Sequence, residues 1–160
     1  ISVIKESTAF KQKKFHLYAD LDSYMIAGGT IPPHVLPSQQ IPDIVLHWTN
    51  NKISVIELTV PFELNIEAAN KRKTEKYTAL VNDLKTNGYE VNLCTFEVGS
   101  RGLVTSRNKM TLKHLFKELE CTVKSQQIFT NMSKISLLGS YSIFHARRDP
   151  NWCVSNYLKI

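Results

Sequence analysis

The densest hydrophobic patterning lies between residues 44 and 98. Ile44–Trp48 is a β-branched and aromatic run, and Ile53–Val60 is a second, with Thr49-Asn50-Asn51 between them. Two such runs joined by a short polar turn predict a β-hairpin. Pro61 closes the second strand. Residues 64–87 place Ile66, Ala69, Lys73, Tyr77, Leu80 and Leu84 at three- and four-residue steps, which is one face of a long helix. Asn87-Gly88 supplies its stop signal. Residues 89–98 (YEVNLCTFEV) read as a third strand, and a strand–helix–strand unit of this length predicts a parallel pair. Upstream, residues 1–13 read as a short helix and 15–21 as a strand. Residues 28–42 hold two glycines and four prolines (Pro32, Pro33, Pro37 and Pro42), so they predict an extended connector. Beyond the turn from Gly99 to Gly102, residues 111–121 and 125–146 predict helices. Ile128, Met132, Ile135, Leu138 and Tyr141 form the expected core stripe of the second. Residues 147–160 carry no clear pattern. The reading is one α/β domain over 1–160, a mixed sheet flanked by helices.

One polar feature interrupts this pattern. Strand alternation puts Ile56, Leu58 and Val60 on one face and Val55, Glu57 and Thr59 on the other. Both faces are otherwise apolar near Glu57, so Glu57 is expected to be buried, which is costly for an unpaired carboxylate. Pro42-Asp43 precedes Glu57 by thirteen intervening residues. With a three-residue loop at 49–51, Trp48 pairs with Lys52, and Asp43 falls opposite Glu57, their Cβ atoms roughly 4.5–5.5 Å apart. A two-residue loop would put the two carboxylates on opposite faces. Carboxylates this close repel unless a cation joins them, and hard oxygen ligands select Mg²⁺ or Mn²⁺. Lys73 sits within the apolar stripe of the long helix, one turn before Tyr77. From there its ammonium can reach the carboxylate pair or, alternatively, snorkel to the surface. Lys76 is the second candidate for that role.

Charge and cysteine content narrow the class. The chain is 42% hydrophobic and 21% charged, enough for a buried core. Its net charge is +6, which suits a polyanionic partner. Lys71, Arg72, Lys76, Arg107, Lys109, Lys113, Arg147 and Arg148 disperse that charge, and a subset could neutralise phosphates. No recognition helix or finger for base readout is visible. Cys94, Cys121 and Cys153 are widely spaced and form no CxxC pair, which points to a reducing compartment. No apolar run approaches the ~18 residues of a membrane span. The start at Ile1 reads as a fragment of a longer polypeptide. Glu63 and Glu67 favour the N-terminal dipole of the long helix, with Glu63 also a candidate third metal ligand. Glu97 and Arg101 are candidates for an ion pair with each other, or Arg101 for a phosphate contact.

The stretch PDIVL…ISVIELTVPFELNIEAANKRKTEKY, followed by NGYEVNLCTFEVGSRGLV, resembles the restriction-like endonuclease domains at the C-terminal end of reverse-transcriptase polyproteins from retrotransposons without long terminal repeats. Those domains fall in the PD-(D/E)xK nuclease superfamily. The resemblance spans about residues 30–147. It implies a restriction-endonuclease-like core and a metal-dependent endonuclease that nicks DNA for target-primed insertion. It implies catalytic Asp43, Glu57, Lys73 and Tyr77, and Mg²⁺ or Mn²⁺ at Asp43, Glu57 and Leu58. Lys71, Lys76, Arg101 and Arg107 are the implied nucleic-acid contacts. DNA, with RNA as an alternative, and other domains of the parent polyprotein are the expected partners. The expected location is nuclear or cytoplasmic, with the nucleus favoured, and no membrane is involved. Two positions depart from the family pattern. Ile41 stands where a basic residue precedes Pro-Asp, and Thr59 stands where the simplest motif has its lysine. A following-helix lysine often replaces the latter, which favours Lys73, and Lys73-x-x-x-Tyr77 resembles the helical QxxxY element of some relatives. Viral cap-snatching RNA endonucleases are similar too, and there an upstream histidine joins the metal. His34 or His16 would fill that place. A domesticated or inactive copy that binds nucleic acid without cleaving it is the alternative.

Overall fold

The computed structural model describes residues 1–147. Its centre is a four-stranded mixed sheet in the order β1-β2-β3-β4, comprising Phe15–Ala19, Ile44–Trp48, Lys52–Thr59 and Glu90–Glu97. β1 and β2 pair antiparallel, as do β2 and β3, while β3 and β4 run parallel across the long helix α3, Ile66–Thr86. The hairpin turn is the three-residue one: Ile44 pairs with Ile56 and His47 with Ile53, and Asn51 takes the positive φ (59°) that lets the chain reverse so tightly.

The even-numbered hairpin residues Ile44, Leu46, Trp48 and Ile56 face one core with Cys94 and Phe96. That core is covered by α1 (Ser2–Glu6), α2 (Thr8–Lys11), α4 (Ser106–Glu118) and α5 (Ser125–Ala146). The odd-numbered Val45, Ile53 and Val55 face a second core closed by Tyr77, Leu80 and Leu84 of α3 and by Ile31 and Val35 of the connector. α3 buries Ile66, Ala69, Tyr77, Leu80 and Leu84, the stripe its spacing predicts, and Lys73 lies half-buried on the same side. A short 3-10 turn, Glu63–Asn65, leads into it. The connector 28–42 forms no strand. Thr30 Oγ1 donates to the Pro42 carbonyl (2.9 Å) and Gln40 Nε2 to the Lys76 carbonyl (2.8 Å), so it is strapped across α3.

Three expectations need correction. The N-terminal helix is two short helices, because Ser7 is extended (φ −66°, ψ 150°) and caps the second by accepting from the Phe10 amide. α4 begins at Ser106, not 111, because Thr105 caps it by accepting from the Asn108 amide. The stripe expected to be core on α5 is only partly so. Ile128 and Met132 pack on the core, but Ile135, Leu138 and Tyr141 are exposed, and Phe129, Ser136 and Ala146 are the buried positions. α5 therefore rests on the sheet side by a different face from the one its apolar residues mark. No helix among the described residues is long and apolar enough to cross a membrane. Within residues 147–160, where no pattern was visible, 148–160, including Cys153, lie outside the described residues.

Candidate active site

The hairpin register decides whether the carboxylates meet. Extending the Ile44–Ile56 pairing by one step puts Asp43 opposite Glu57 on the α3 face. The contacts agree: the Asp43 amide donates to Glu57 Oε2 (3.3 Å), and the Leu58 amide donates to Asp43 Oδ2 (2.6 Å). Glu57 is 3% exposed, at the end of an apolar strand. Three groups reach it from beneath. Lys73 Nζ donates to Oε1, the Tyr77 hydroxyl donates to Oε2 (2.9 Å), and Lys76 Nζ stands 3.9 Å from Oε1. Lys73 keeps only 22% of its side chain exposed, so the ammonium points into the site and not to solvent. Lys76 is more exposed; it donates to the Tyr77 hydroxyl (2.8 Å) and lies over that ring at 4.5 Å from its centroid. Of the two lysines, Lys73 is the direct partner of Glu57. Lys76 acts through Tyr77.

Charge states follow from these surroundings. Burial raises the Asp43 carboxyl above the usual carboxylate range; the Leu58 amide opposes this, and the neighbouring Glu57 charge adds to it. Burial, then the hydrogen bond to Glu57, raises the Tyr77 phenol, which therefore stays protonated and donates. A raised acid is costly to ionise in the fold, so Asp43 subtracts stability once the pH rises above the ordinary carboxylate value. Asp43→Asn, which keeps an oxygen for the Leu58 amide, is expected to melt higher than wild type at pH 7. The difference should shrink toward zero as the pH falls through 4, and thermal melts across that range check it.

Asp43 and Glu57 carry oxygen donors of the kind a hard divalent ion takes. Two carboxyl groups lie side by side, Asp43 raised first by burial and further by its like-charged neighbour, with the Lys73 ammonium already against Glu57. Leu58 contributes its backbone amide to Asp43, and its exposed side chain carries no ligand atom.

Other predicted residues lie elsewhere. Arg101 does not pair with Glu97; its backbone amide (2.6 Å) and Nε (3.0 Å) both donate to Glu63, because the Gly99–Gly102 turn folds back on the start of α3. Glu63 is thereby committed to that turn and is not turned toward Asp43. Glu97, fully buried, takes Arg107 Nη2 (2.9 Å), and Arg107 Nη1 holds Glu67 (3.0 Å). Arg107 is thus neutralised by two carboxylates. Lys71 is exposed, with Glu75 at 3.9 Å. His16 and His34 lie beside His47, a strand's length from the Asp43 end of β2.

Two neighbours escaped the sequence reading. Asp20 follows β1, its amide donating to the Asp43 carbonyl (2.9 Å), and its charge helps raise the Asp43 carboxyl. The register Ala19–Ile44 would have put it beside Asp43. Asn70 reaches Thr95 and Glu97 from the inward face of α3, three residues before Lys73. The i, i+3 spacing was the available signal. Among the described residues, no three His, Cys, Asp or Glu side chains are arranged to hold an ion by themselves. Neither a protein-family model nor a curated protein matches this chain.

Proposed function

We propose that this domain is a metal-dependent endonuclease acting on DNA, with Asp43, Glu57, Lys73 and Tyr77 as its site. The observation that carries the reading is the meeting of Asp43, Glu57 and Lys73, distant in sequence, in one partly buried cluster between β2, β3 and α3. Asp43 and Glu57 would hold Mg²⁺ or Mn²⁺. When bound, such an ion acidifies a water and takes up negative charge on the phosphoryl group. Lys73 supplies the positive charge that Thr59 cannot, from α3 instead of from β3, and can turn it toward a scissile phosphate. Tyr77 orients the Glu57 carboxylate, and Lys76 holds the phenol. The resemblance to retrotransposon restriction-like endonuclease domains supports the same assignment and its restriction-endonuclease-like core. It also favours a nuclear site of action and partner domains in a parent polyprotein.

A second reading has its own observation. Both oxygens of Glu57 are already engaged, one by Lys73 and the other by Tyr77. A domain sealed in this way would bind nucleic acid through its net positive charge without cutting it. Incubating the domain with supercoiled plasmid and Mn²⁺, with EDTA and a structured RNA as parallel arms, separates the readings. Metal-dependent open-circular product supports the nuclease. Salt-dependent binding with no product in any arm supports the binding module.

A further inference from the structure

The sheet ends in an open edge at β1. The register shows which backbone groups of that strand are spent on β2. The Thr49 amide donates to the Lys14 carbonyl (2.9 Å) and the Asp20 amide to the Asp43 carbonyl (2.9 Å), so the even-numbered residues of β1 exchange hydrogen bonds with β2. Phe15 and Leu17 lie between them and turn their N–H and C=O groups outward, and no described residue outside the sheet pairs with those groups. Ala19 closes the open stretch, its amide donating to the Tyr24 carbonyl (3.4 Å). Along this edge runs a cleft of about 680 Å³. Phe10 and Tyr24 line it together with Lys5, Lys11 and Lys13, all three exposed. Lys5 Nζ sits 5.2 Å from the centroid of the Tyr24 ring. Among the described residues none of the three lysines has an ion-pair partner, and no carboxylate is among the residues lining the cleft.

We propose that the β1 edge is a docking site for an extended acidic peptide, which pairs with Phe15 and Leu17 as a fifth strand. An open edge recognises a chain by its backbone, and the side chains beside the edge set the preference among chains. Here Lys5, Lys11 and Lys13 set it for carboxylates. The same lysines guard against a second copy of this chain, because pairing two β1 edges would bring the two sets of ammonium groups together. A nucleic-acid strand answers the charge but not the edge. Phosphate oxygens only accept hydrogen bonds, whereas Phe15 and Leu17 present carbonyl acceptors as well as amide donors. Docking here requires neither a metal ion nor cleavage, so it stands apart from the Asp43–Glu57 cluster.

Calorimetric titration of the full 160-residue chain tests the site, the probe being an acetylated, amidated octapeptide of alternating Glu and Val. Wild type should bind one equivalent with a Kd of about 100 μM. Lys11→Glu/Lys13→Glu should weaken binding at least tenfold, and so should full N-methylation of the peptide, which removes its backbone donors. Lys109→Glu/Lys113→Glu on α4 makes the same change in net charge on another face and should leave the affinity within about twofold. Amide hydrogen exchange should slow at Phe15 and Leu17 when peptide is bound, whereas His16 and Tyr18 are protected from the start. A Kd weaker than millimolar, or equal affinity for the N-methylated peptide, overturns the proposal. Oligothymidylate binding more tightly than the peptide, with the same lysine dependence and no protection at Phe15 and Leu17, overturns it in favour of a nucleic-acid surface. Sedimentation of the chain alone as a dimer, with Phe15 and Leu17 already protected, overturns it in favour of self-pairing. Circular dichroism of both double variants confirms that a lost response comes from the edge and not from the fold.

Discussion

Asp43→Ala and Glu57→Ala each lower Mn²⁺-dependent plasmid nicking by at least about a hundredfold. The argument rests on the division of labour between the two side chains. Metal-assisted charge stabilisation is worth several kcal/mol, and each 1.4 kcal/mol is tenfold in rate. Losing either carboxylate leaves the ion one anionic ligand, and losing Glu57 also frees Lys73 and Tyr77 from their positions. Asp43 is the cleaner test of chemistry, because only the Leu58 amide depends on its side chain. Lys85→Ala, exposed in the last turn of α3 and away from the site, is the matched control and should retain most of the activity. Equal nicking by Asp43→Ala and wild type would remove the carboxylate pair from the account.

The second large effect is on stability. Lys73→Met should destabilise the fold by about 3 kcal/mol, because it strips the ammonium from a carboxylate that is only 3% exposed. Tyr77 still donates to one oxygen, which keeps the loss at the lower end of the range for broken buried pairs. For a domain of this size the melting temperature should fall by roughly 6–12 °C. The double variant Lys73→Met/Glu57→Gln should recover most of that loss, since a neutral amide no longer requires a cation. Differential scanning calorimetry of the single and double variants measures both. An unchanged melting point in Lys73→Met would mean that the ammonium stands in solvent and the pair is superficial.

The legible part of the molecule was the hairpin and long helix at its centre, where apolar strands are buried on both faces and a single polar position stands out. The apolar runs Ile44–Trp48 and Ile53–Val60 marked the hairpin, and the sequence left its loop at two or three residues; the three-residue turn of the structure is what places Asp43 against Glu57. The α3 stripe was equally visible because leucines and a tyrosine recur on one side of a long helix that packs on a sheet. Elsewhere the pattern misled. Ile135, Leu138 and Tyr141 keep helical spacing on α5 yet lie exposed, because helical spacing marks an apolar face without saying which neighbour it meets. Ser136 is buried there instead, its hydroxyl donating to the Gly99 carbonyl (2.6 Å). The partners of Glu63, Glu97, Arg101 and Arg107 were hidden for a similar reason. They are set by how the Gly99–Gly102 turn and α4 fold back onto the start of α3, a turn in which Gly102, at φ 90°, has no room for a side chain against the Ser133 carbonyl of α5. Asp20 was hidden only because the pairing of β1 with β2 depends on a long connector whose path no local signal specifies.

The most direct test is crystallographic. A crystal of the domain soaked in MnCl₂ and measured at the manganese edge should show an anomalous peak between the Asp43 and Glu57 carboxyl groups, with the Lys73 ammonium shifted from Glu57 Oε1. Crystals of Asp43→Asn should show none there. A soaked wild-type crystal with no manganese at that position, and Lys73 still seated on Glu57, would contradict the account.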